Sequence, residues 1–403
     1  MNRRSAPRGW RSISTSLAAL IVVALVIGAC SPAAPTPTPM PKSTEPPTPV
    51  PSPTSATVQY PPEYDPAACF QPAVNNDQTV KFAPKPPPYK IAVSNSYIGN
   101  AWRTQMIQIA KAYVKQPHVA PLIEEFTVIS SGQDVAAQIA QMDNMIAAGV
   151  DAIILNAATP TGFDAVIRRA KEAGIIVVSF DNIVTSPDAI LVNEDQVEFG
   201  RVMARDLVER LNEKGNVVMV NGVPGTSVDR DRNKGAKEVF SQYPGINIIA
   251  EVVGMWDDGV TQKVMADLLA TRDDIDGVWV QAGTVGAVKA FMDAGRPFVP
   301  IAGEAENGFR KLMAEYKDEG LVGISVGQSP ALVAVSIQAA LELLQGKELP
   351  RIISVPLPVA RSEDLQPGVN YFPDLPDDFF TPIKFPSCGV DLTPEEILAE
   401  SAK

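Results

Sequence analysis

Eleven polar or aromatic side chains share one kind of position in the sequence, because each closely follows a short apolar run. Carboxylates accept hydrogen bonds from hydroxyl groups, whereas Arg, Asn and Gln donate to hydroxyl and ring oxygens. The flat face of an indole can cover the C–H patch of a sugar ring. Together these side-chain types predict a sugar site, and the residues are Asn95, Asn100, Trp102, Arg103, Asp181, Asn182, Arg232, Trp256, Gln281, Glu304 and Gln328.

Asp181 and Glu304 permit a second interpretation of the same site. Two carboxylates that face each other could act as acid and base in an enzyme that hydrolyses glycosides. Other catalytic chemistry has less support, since the sequence has neither a CxxC nor an HExxH motif and its single histidine is His118. We therefore expect no metal and no cofactor.

The elements that must position these residues follow from the apolar pattern. From Tyr89 onward, short apolar runs alternate with amphipathic stretches, for example "DAIILNA" before 162–173 and "NVVMVNG" before 228–242. Runs that are apolar throughout, each followed by a helix, indicate parallel β/α/β units. The sequence therefore predicts an α/β fold with doubly wound parallel sheets, in which ligands bind at the carboxyl ends of the strands.

The first 30 residues predict export. Arginines within the first 11 residues precede an apolar run over 17–27, and small residues then lead to Cys30. The run is shorter than a membrane-spanning helix, which favours a cleaved signal peptide over 1–29 and a lipid on the thiol of Cys30. We expect the mature chain to be anchored on the outer face of the bacterial cytoplasmic membrane, in the periplasm or at the cell surface.

A proline-rich segment follows the predicted anchor. Residues 30–88 are dominated by Pro, Thr, Ser and Ala, a composition that buries too little apolar surface to fold. We expect a lipid-anchored stalk of polyproline II character. Cys69 lies in this segment and Cys388 lies near the C-terminus, so a disulfide between them is possible, with free thiols or intermolecular pairing as alternatives.

The charge of the chain bears on its partners. The formal net charge is −12, and loss of the four arginines of the signal peptide takes it to −16. Such an acidic chain is not expected to bind nucleic acid.

Six segments resemble the type I periplasmic binding proteins that deliver sugars to ABC transporters, especially the ribose- and galactofuranose-binding branch. The resemblance covers about residues 88–360 and implies two Rossmann-like lobes joined by three crossovers, near Asn193, Gln328 and Val355. The segments occur in the family order and are "SNSYIGNAWR" (94–103), "VVSFDN" (177–182), "GVPGTSVDRDRNKG" (222–235), "VWVQAG" (278–283), "PIAGEAENG" (300–308) and "VGQSPALVA" (326–334).

The resemblance also implies roles for individual residues. The polar and aromatic residues after the first strand would line the wall of the N-terminal lobe, and Asp181 would accept hydrogen bonds from two sugar hydroxyls. Arg232 would reach across from the second lobe, Trp256 would stack on the sugar, and Gln328 would lie at the hinge.

Three positions depart from the ribose-binding pattern. Asn182 stands where that branch has Arg, Ala282 where it has Asn, and Glu304-Ala305 where it has an aromatic residue followed by Asp. A site built for one set of hydroxyls strongly rejects a ligand with another set. A sugar other than ribose is therefore expected, and Arg103 would suit a larger or an acidic one.

These observations predict the domain boundaries of the chain and lead to hypotheses about its function. The N-terminal lobe is predicted over 89–192 and 329–352, the C-terminal lobe over 193–328 and 353–362, and a tail over 363–403. The resemblance implies capture of a monosaccharide and its delivery to an ABC-type permease, without catalysis. A sugar sensor for a membrane kinase or chemoreceptor is the first alternative, and the glycoside-active enzyme is the second.

Overall fold

The computed structural model describes residues 60–74 and 76–402. The predicted signal peptide, the lipidation site at Cys30 and the predicted stalk as far as residue 59 lie outside the described residues. Over the described ranges, no helix combines the length and the apolar character needed to cross a bilayer.

Strands and helices alternate through most of this part of the chain. The strands are β1 (Thr79–Lys81), β2 (Tyr89–Asn95), β3 (Ile123–Ser130), β4 (Ala152–Asn156), β5 (Ile176–Phe180), β6 (Ile190–Glu194), β7 (Lys214–Asn221), β8 (Gly245–Val253), β9 (Gly277–Val280), β10 (Ile301–Glu304), β11 (Gly323–Val326), β12 (Glu348–Pro350), β13 (Ile352–Val355), β14 (Val359–Arg361), β15 (Lys384–Phe385) and β16 (Val390–Asp391). The helices are α1 (Pro66–Cys69), α2 (Ala101–Tyr113), α3 (Val135–Ala147), α4 (Asp164–Glu172), α5 (Gln196–Arg210), α6 (Ser227–Phe240), α7 (Asp258–Leu269), α8 (Thr284–Asp293), α9 (Asn307–Glu315), α10 (Leu332–Leu344) and α11 (Pro394–Leu398).

Two six-stranded sheets form the two lobes. The first has the strand order β13-β6-β5-β4-β2-β3, and all its pairings are parallel. The second has the order β14-β11-β10-β9-β7-β8, in which only the edge strand β14 is antiparallel. Every residue of β4 and β5 is buried, as expected for strands covered by helices on both faces. The predicted α/β architecture is confirmed.

Side-chain caps fix where several helices begin. Asn100 accepts a hydrogen bond from the backbone N–H of Arg103 at the start of α2, and Asp257 accepts one from Val260 at the start of α7. A cap of this kind satisfies an amide that has no partner within the helix, which contributes about 1 kcal/mol. The two caps come five and four residues after the ends of β2 and β8, so they also fix the loops that follow these strands.

The chain crosses between the lobes three times. It passes from β6 to α5, from β11 to α10 and from β13 to β14, which agrees with crossovers near Asn193, Gln328 and Val355. The first-lobe strands β6 and β13 extend to Glu194 and Val355, slightly beyond the lobe boundaries predicted at 192 and 352. The reason is that β13 pairs in parallel with β6 before the chain turns toward the second lobe.

The predicted stalk is wrong for residues 60–74 and 76–88. In this range α1 leads to Phe70, which is 4% exposed, and β1 pairs antiparallel with β12. The hydroxyl of Tyr60 donates to Glu342 on α10 over 3.0 Å. Aromatic side chains within the proline-rich composition therefore bury enough surface to hold this segment on the first lobe.

The C-terminal tail continues from the second lobe to the first. Asn307 on α9 donates to backbone carbonyls of the tail at Phe372 and Leu375, over 2.8 and 3.1 Å. Farther along the chain, α11 packs on α2 of the first lobe. Cys69 and Cys388 form a disulfide that joins this tail to the N-terminal segment, with their Cα atoms 4.9 Å apart.

Candidate functional site

Most of the predicted site residues line one cleft at the carboxyl ends of the strands, between the two sheets. The cleft has a volume of about 330 Å³ when space open to solvent is counted. Val228, Ala282 and Phe380 complete its wall. The predicted residues that line it are Asn100, Trp102, Arg103, Asp181, Arg232, Trp256, Glu304 and Gln328.

The other three predicted residues lie behind this wall and hold its members in place. Asn95 accepts a hydrogen bond from Arg103 over 2.6 Å, and Asn182 donates to Asp181 over 2.9 Å. Gln281 accepts a hydrogen bond from the indole N–H of Trp256 over 3.0 Å. The sequence therefore placed these residues near the cleft but did not distinguish residues that hold the cleft wall from residues that form it.

Arg103 forms the charged part of the first lobe's wall. It follows β2 on the first turn of α2 and is only 1% exposed. Its Nη1 donates to Asn95 and to Ser96, and its Nη2 lies 3.5 Å from Oδ2 of Asp181. Burial lowers the pKa of Arg103, and the charge of Asp181 acts in the opposite direction. The guanidinium remains charged, since Arg does not lose its proton in proteins.

Asp181 occupies the turn after β5. Its φ of 56° lies in the left-handed region, where a non-glycine residue is uncommon. Its Oδ2 accepts from the side chains of Asn156 and Asn182, each over 2.9 Å, and its Oδ1 accepts from Gln328. The carboxylate is thus held in one orientation by three amides, with its edge toward the cleft.

Arg232 forms the corresponding charge on the second lobe. It lies on α6, and its guanidinium is 3.7 Å from the ring centroid of Phe199. Its Nε donates to Gln196 over 2.8 Å, and its Nη2 lies 3.4 Å from Glu304. Burial raises the pKa of Glu304 to about 7, although Arg232 lowers it.

Trp256 is placed by an unusual backbone after β8. Met255 and Trp256 have φ values of 58° and 55°, both in the left-handed region. The indole lies against Gly222, where a Cβ atom would come within 2.0 Å of its Nε1. Only glycine fits this close approach, so Gly222 in the sequence "NGVPG" allows the indole to occupy this position.

Gln328 links the two lobes at the second crossover. Its amide N–H₂ donates to Asp181 of the first lobe, and its Oε1 accepts from Arg232 of the second. Its backbone carbonyl accepts from the indole of Trp102 over 2.9 Å. One side chain at the hinge therefore contacts the charged groups of both walls.

The charges of the cleft balance when Glu304 is ionised, above its pKa of about 7. Two guanidinium groups, of Arg103 and Arg232, face two carboxylates, of Asp181 and Glu304. Arg103, which would suit an acidic sugar by the sequence alone, has a carboxylate partner within the protein. Among the described residues, no group of His, Cys, Asp and Glu is arranged to hold a metal ion.

Sequence reasoning missed Phe380. This residue belongs to the tail, beyond the six segments that carried the resemblance, and a single Phe in a loop gives no signal of its own. Its position depends on contacts between the tail and both lobes, which no local pattern reveals.

Two α/β lobes around a polar and aromatic cleft define a solute-binding protein of the hinged type. Residues 91–348 match the family described as periplasmic binding protein domain, and the chain belongs to this family. The expected type I periplasmic sugar-binding class is thereby confirmed. Membership implies that the chain works outside the cytoplasm.

Individual relatives agree with this assignment. A xylitol-binding protein of Mycolicibacterium smegmatis is 30% identical over 224 residues, which are 55% of this chain and 64% of that protein. A ribose import binding protein of Bacillus subtilis is 26% identical over 57% of this chain and 75% of its own length. A solute-binding protein of an ABC transporter from Thermobispora bispora has a TM-score of 0.61 at 30% identity, covering 67% of this chain and 84% of that structure.

These three relatives are named as binding proteins, and two of them belong to import or transport systems. This agrees with a role in binding, and the hydrolytic interpretation of Asp181 and Glu304 has no support among them.

Proposed function

We propose that the chain captures a neutral monosaccharide, or a sugar alcohol of similar size, in the cleft and delivers it to an ABC-type permease. The pairing of each guanidinium group in the cleft with an acidic side chain is the observation that carries this proposal. Because Arg103 and Arg232 are each paired with a carboxylate, a ligand with its own charge would leave one ionic group uncompensated in a buried site. Hydroxyl groups can both donate and accept, and they match such a wall without adding charge.

The aromatic lining supports the same ligand class. Trp102 and Trp256 offer flat apolar faces beside the charged groups. The relatives named for xylitol and ribose show that such compounds occur as ligands in this family.

Closure around the ligand is supported by the hinge. Gln328 contacts Asp181 and Arg232 from a crossover segment, so a ligand bonded to the same two groups would favour the arrangement in which the lobes meet. A ligand shifts this equilibrium only by binding the closed state more tightly. The permease would then receive the closed, loaded protein from a membrane-anchored form, with the lipid on Cys30 as predicted from the sequence.

Titration calorimetry with xylitol, D-ribose, D-allose and myo-inositol tests the ligand class, with D-glucuronate as the charged comparison. We expect at least one neutral compound to bind in the micromolar range or better and D-glucuronate to bind at least tenfold more weakly than that compound. Preferential binding of D-glucuronate would contradict a neutral ligand. Loss of uptake of the bound compound in cells lacking this protein would support delivery to a permease, and unchanged uptake would argue against it.

A further inference from the structure

We infer that Phe380, in the C-terminal tail, is a ligand-contacting residue that forms the third aromatic wall of the cleft. The inference rests on the proposed function. Phe380 lies beyond the matched range 91–348, yet its side chain lines the cleft together with Asp181, Arg232 and Trp256. It is 4% exposed, so its ring is held inside the protein at this position.

The backbone of Phe380 is bonded to both lobes. Its N–H donates to Oε1 of Gln105 over 2.7 Å, and its carbonyl accepts from Nε2 of the same glutamine over 2.9 Å. Gln105 lies on α2 of the first lobe. On the second lobe, Glu306 forms an isolated antiparallel bridge with Phe380, and Thr381 donates to the carbonyl of Ala305 over 3.2 Å.

Neighbouring parts of the tail fix this placement further. Arg310 donates to the hydroxyl of Thr381 over 2.8 Å, and Ser329 at the hinge donates to the carbonyl of Pro382 over 2.5 Å. The disulfide of Cys388 joins the following segment to Cys69. A loop tied at so many points presents its side chain at a defined place, which a ligand-contacting residue requires.

Phe380 also separates the cleft from a larger outer cavity. The volume of that cavity is about 1220 Å³ when space open to solvent is included, and Gln108, Asp258 and Asp378 border it. The two spaces share the lining residues Asn100, Trp256 and Phe380. The ring therefore closes the inner cleft on this side, and its removal would open the bound ligand to water.

The neighbouring Phe379 provides a matched control. It is 3% exposed and belongs to the same hydrophobic cluster, but it lines only the outer cavity. Both substitutions to Ala remove the same number of buried atoms from the same segment. Only the change at position 380 removes a surface from the inner cleft.

The test compares wild-type protein with Phe380→Ala, Phe380→Leu and Phe379→Ala, all as the full disulfide-bonded chain. Xylitol, D-ribose, D-allose and myo-inositol are titrated separately by calorimetry. We expect Phe380→Ala to weaken binding about tenfold or more, Phe380→Leu to weaken it less, and Phe379→Ala to stay within about threefold of wild type. If Phe380→Ala does not fold, Phe380→Leu retains most of the buried volume and provides the comparison with Phe379→Ala.

Two outcomes oppose the inference in distinguishable ways. Equal affinity of wild type and the Phe380 variants, or equal losses in the Phe379 and Phe380 variants, would overturn the role of Phe380 and leave the proposed function intact. If wild type binds none of the four compounds, the proposed function is contradicted and this inference falls with it.

Discussion

Arg103 and Asp181 form an ion pair within the candidate cleft, with 3.5 Å between Nη2 and Oδ2 and side-chain exposures of 2% and 7%. A buried pair of this kind contributes little net stability, but the loss of one partner leaves an uncompensated charge. Arg103 follows β2 and Asp181 follows β5, and these two strands flank β4 in one sheet. We therefore expect binding and stability to be coupled at this position.

Asp181→Asn should affect both quantities. It removes an acceptor for sugar hydroxyls and leaves Arg103 without its counter-charge, so we expect affinity to fall about ten- to a hundredfold and the free energy of unfolding to fall by about 3 kcal/mol. Calorimetry and urea unfolding on the same preparations measure the two effects. Asp143→Asn is the control, because Asp143 pairs with Arg169 at the surface, where such pairs contribute little. Unchanged affinity in Asp181→Asn would remove this residue from the site.

Gly222→Ala should weaken binding although Gly222 does not line the cleft. Its new Cβ atom would overlap Nε1 of Trp256, so the indole must move. We expect a loss of affinity similar to that of Trp256→Ala, about tenfold, measured by calorimetry and by the fluorescence of the tryptophan on ligand addition. Gly259→Ala on α7 is the control, since its Cβ meets only the side chain of Asp257 at 3.3 Å. Equal affinities in wild type and Gly222→Ala would show that the position of the indole is unimportant.

The sequence predicted the sheets and most of the cleft because both depend on local patterns. Continuous apolar runs indicate parallel strands, and polar residues directly after them must meet at one edge of the sheet. It did not separate Asn95 and Gln281, which support the wall, from the residues of the wall itself, since orientation depends on partners far along the chain. For the same reason it missed Phe380 and treated Phe70 as part of a stalk.

Cleavage of the Cys69–Cys388 disulfide should destabilise the protein. The bond closes a loop with a sequence separation of 319 residues, for which chain entropy gives a stabilisation on the order of 5 kcal/mol. We expect Cys69→Ser/Cys388→Ser to unfold at a clearly lower urea concentration than wild type, and a reducing agent to lower the midpoint of wild type only. Non-reducing peptide mapping should recover both cysteines in one fragment. Quantitative alkylation of both thiols in the oxidised protein would contradict the bond.

Cys30→Ser tests the lipid anchor predicted from the sequence. Lipidation needs the thiol, so the variant should move from the membrane fraction to the soluble exported fraction and keep its affinity for sugar, because the cleft lies in residues 100–380. Fractionation followed by immunoblotting measures the change, and Ser31→Ala serves as the control. Equal membrane association of wild type and Cys30→Ser would exclude the anchor at this residue.

The stability of the protein should depend on pH through Glu304. Burial raises its pKa in the folded state to about 7, above the ordinary value of 4.5. Between these values the folded state holds a proton that the unfolded state has lost, so this carboxyl makes the free energy of unfolding fall as the pH rises from about 4.5 to 7. Above about 7 the contribution is constant.

Glu304→Gln removes this titration while keeping the size of the side chain. We subtract the free energy of unfolding of wild type from that of the variant at each pH. This difference should rise between pH 4.5 and 7, by up to about 3 kcal/mol, and then level off. Urea unfolding at half-unit pH steps gives the difference. Glu363→Gln is the control, because a hydrogen bond from Arg210 lowers the pKa of Glu363 from 4.5 to about 2, and its contribution is lost as the pH falls between these values. A Glu304→Gln difference as flat as that of the control would mean that Glu304 is already ionised throughout this range.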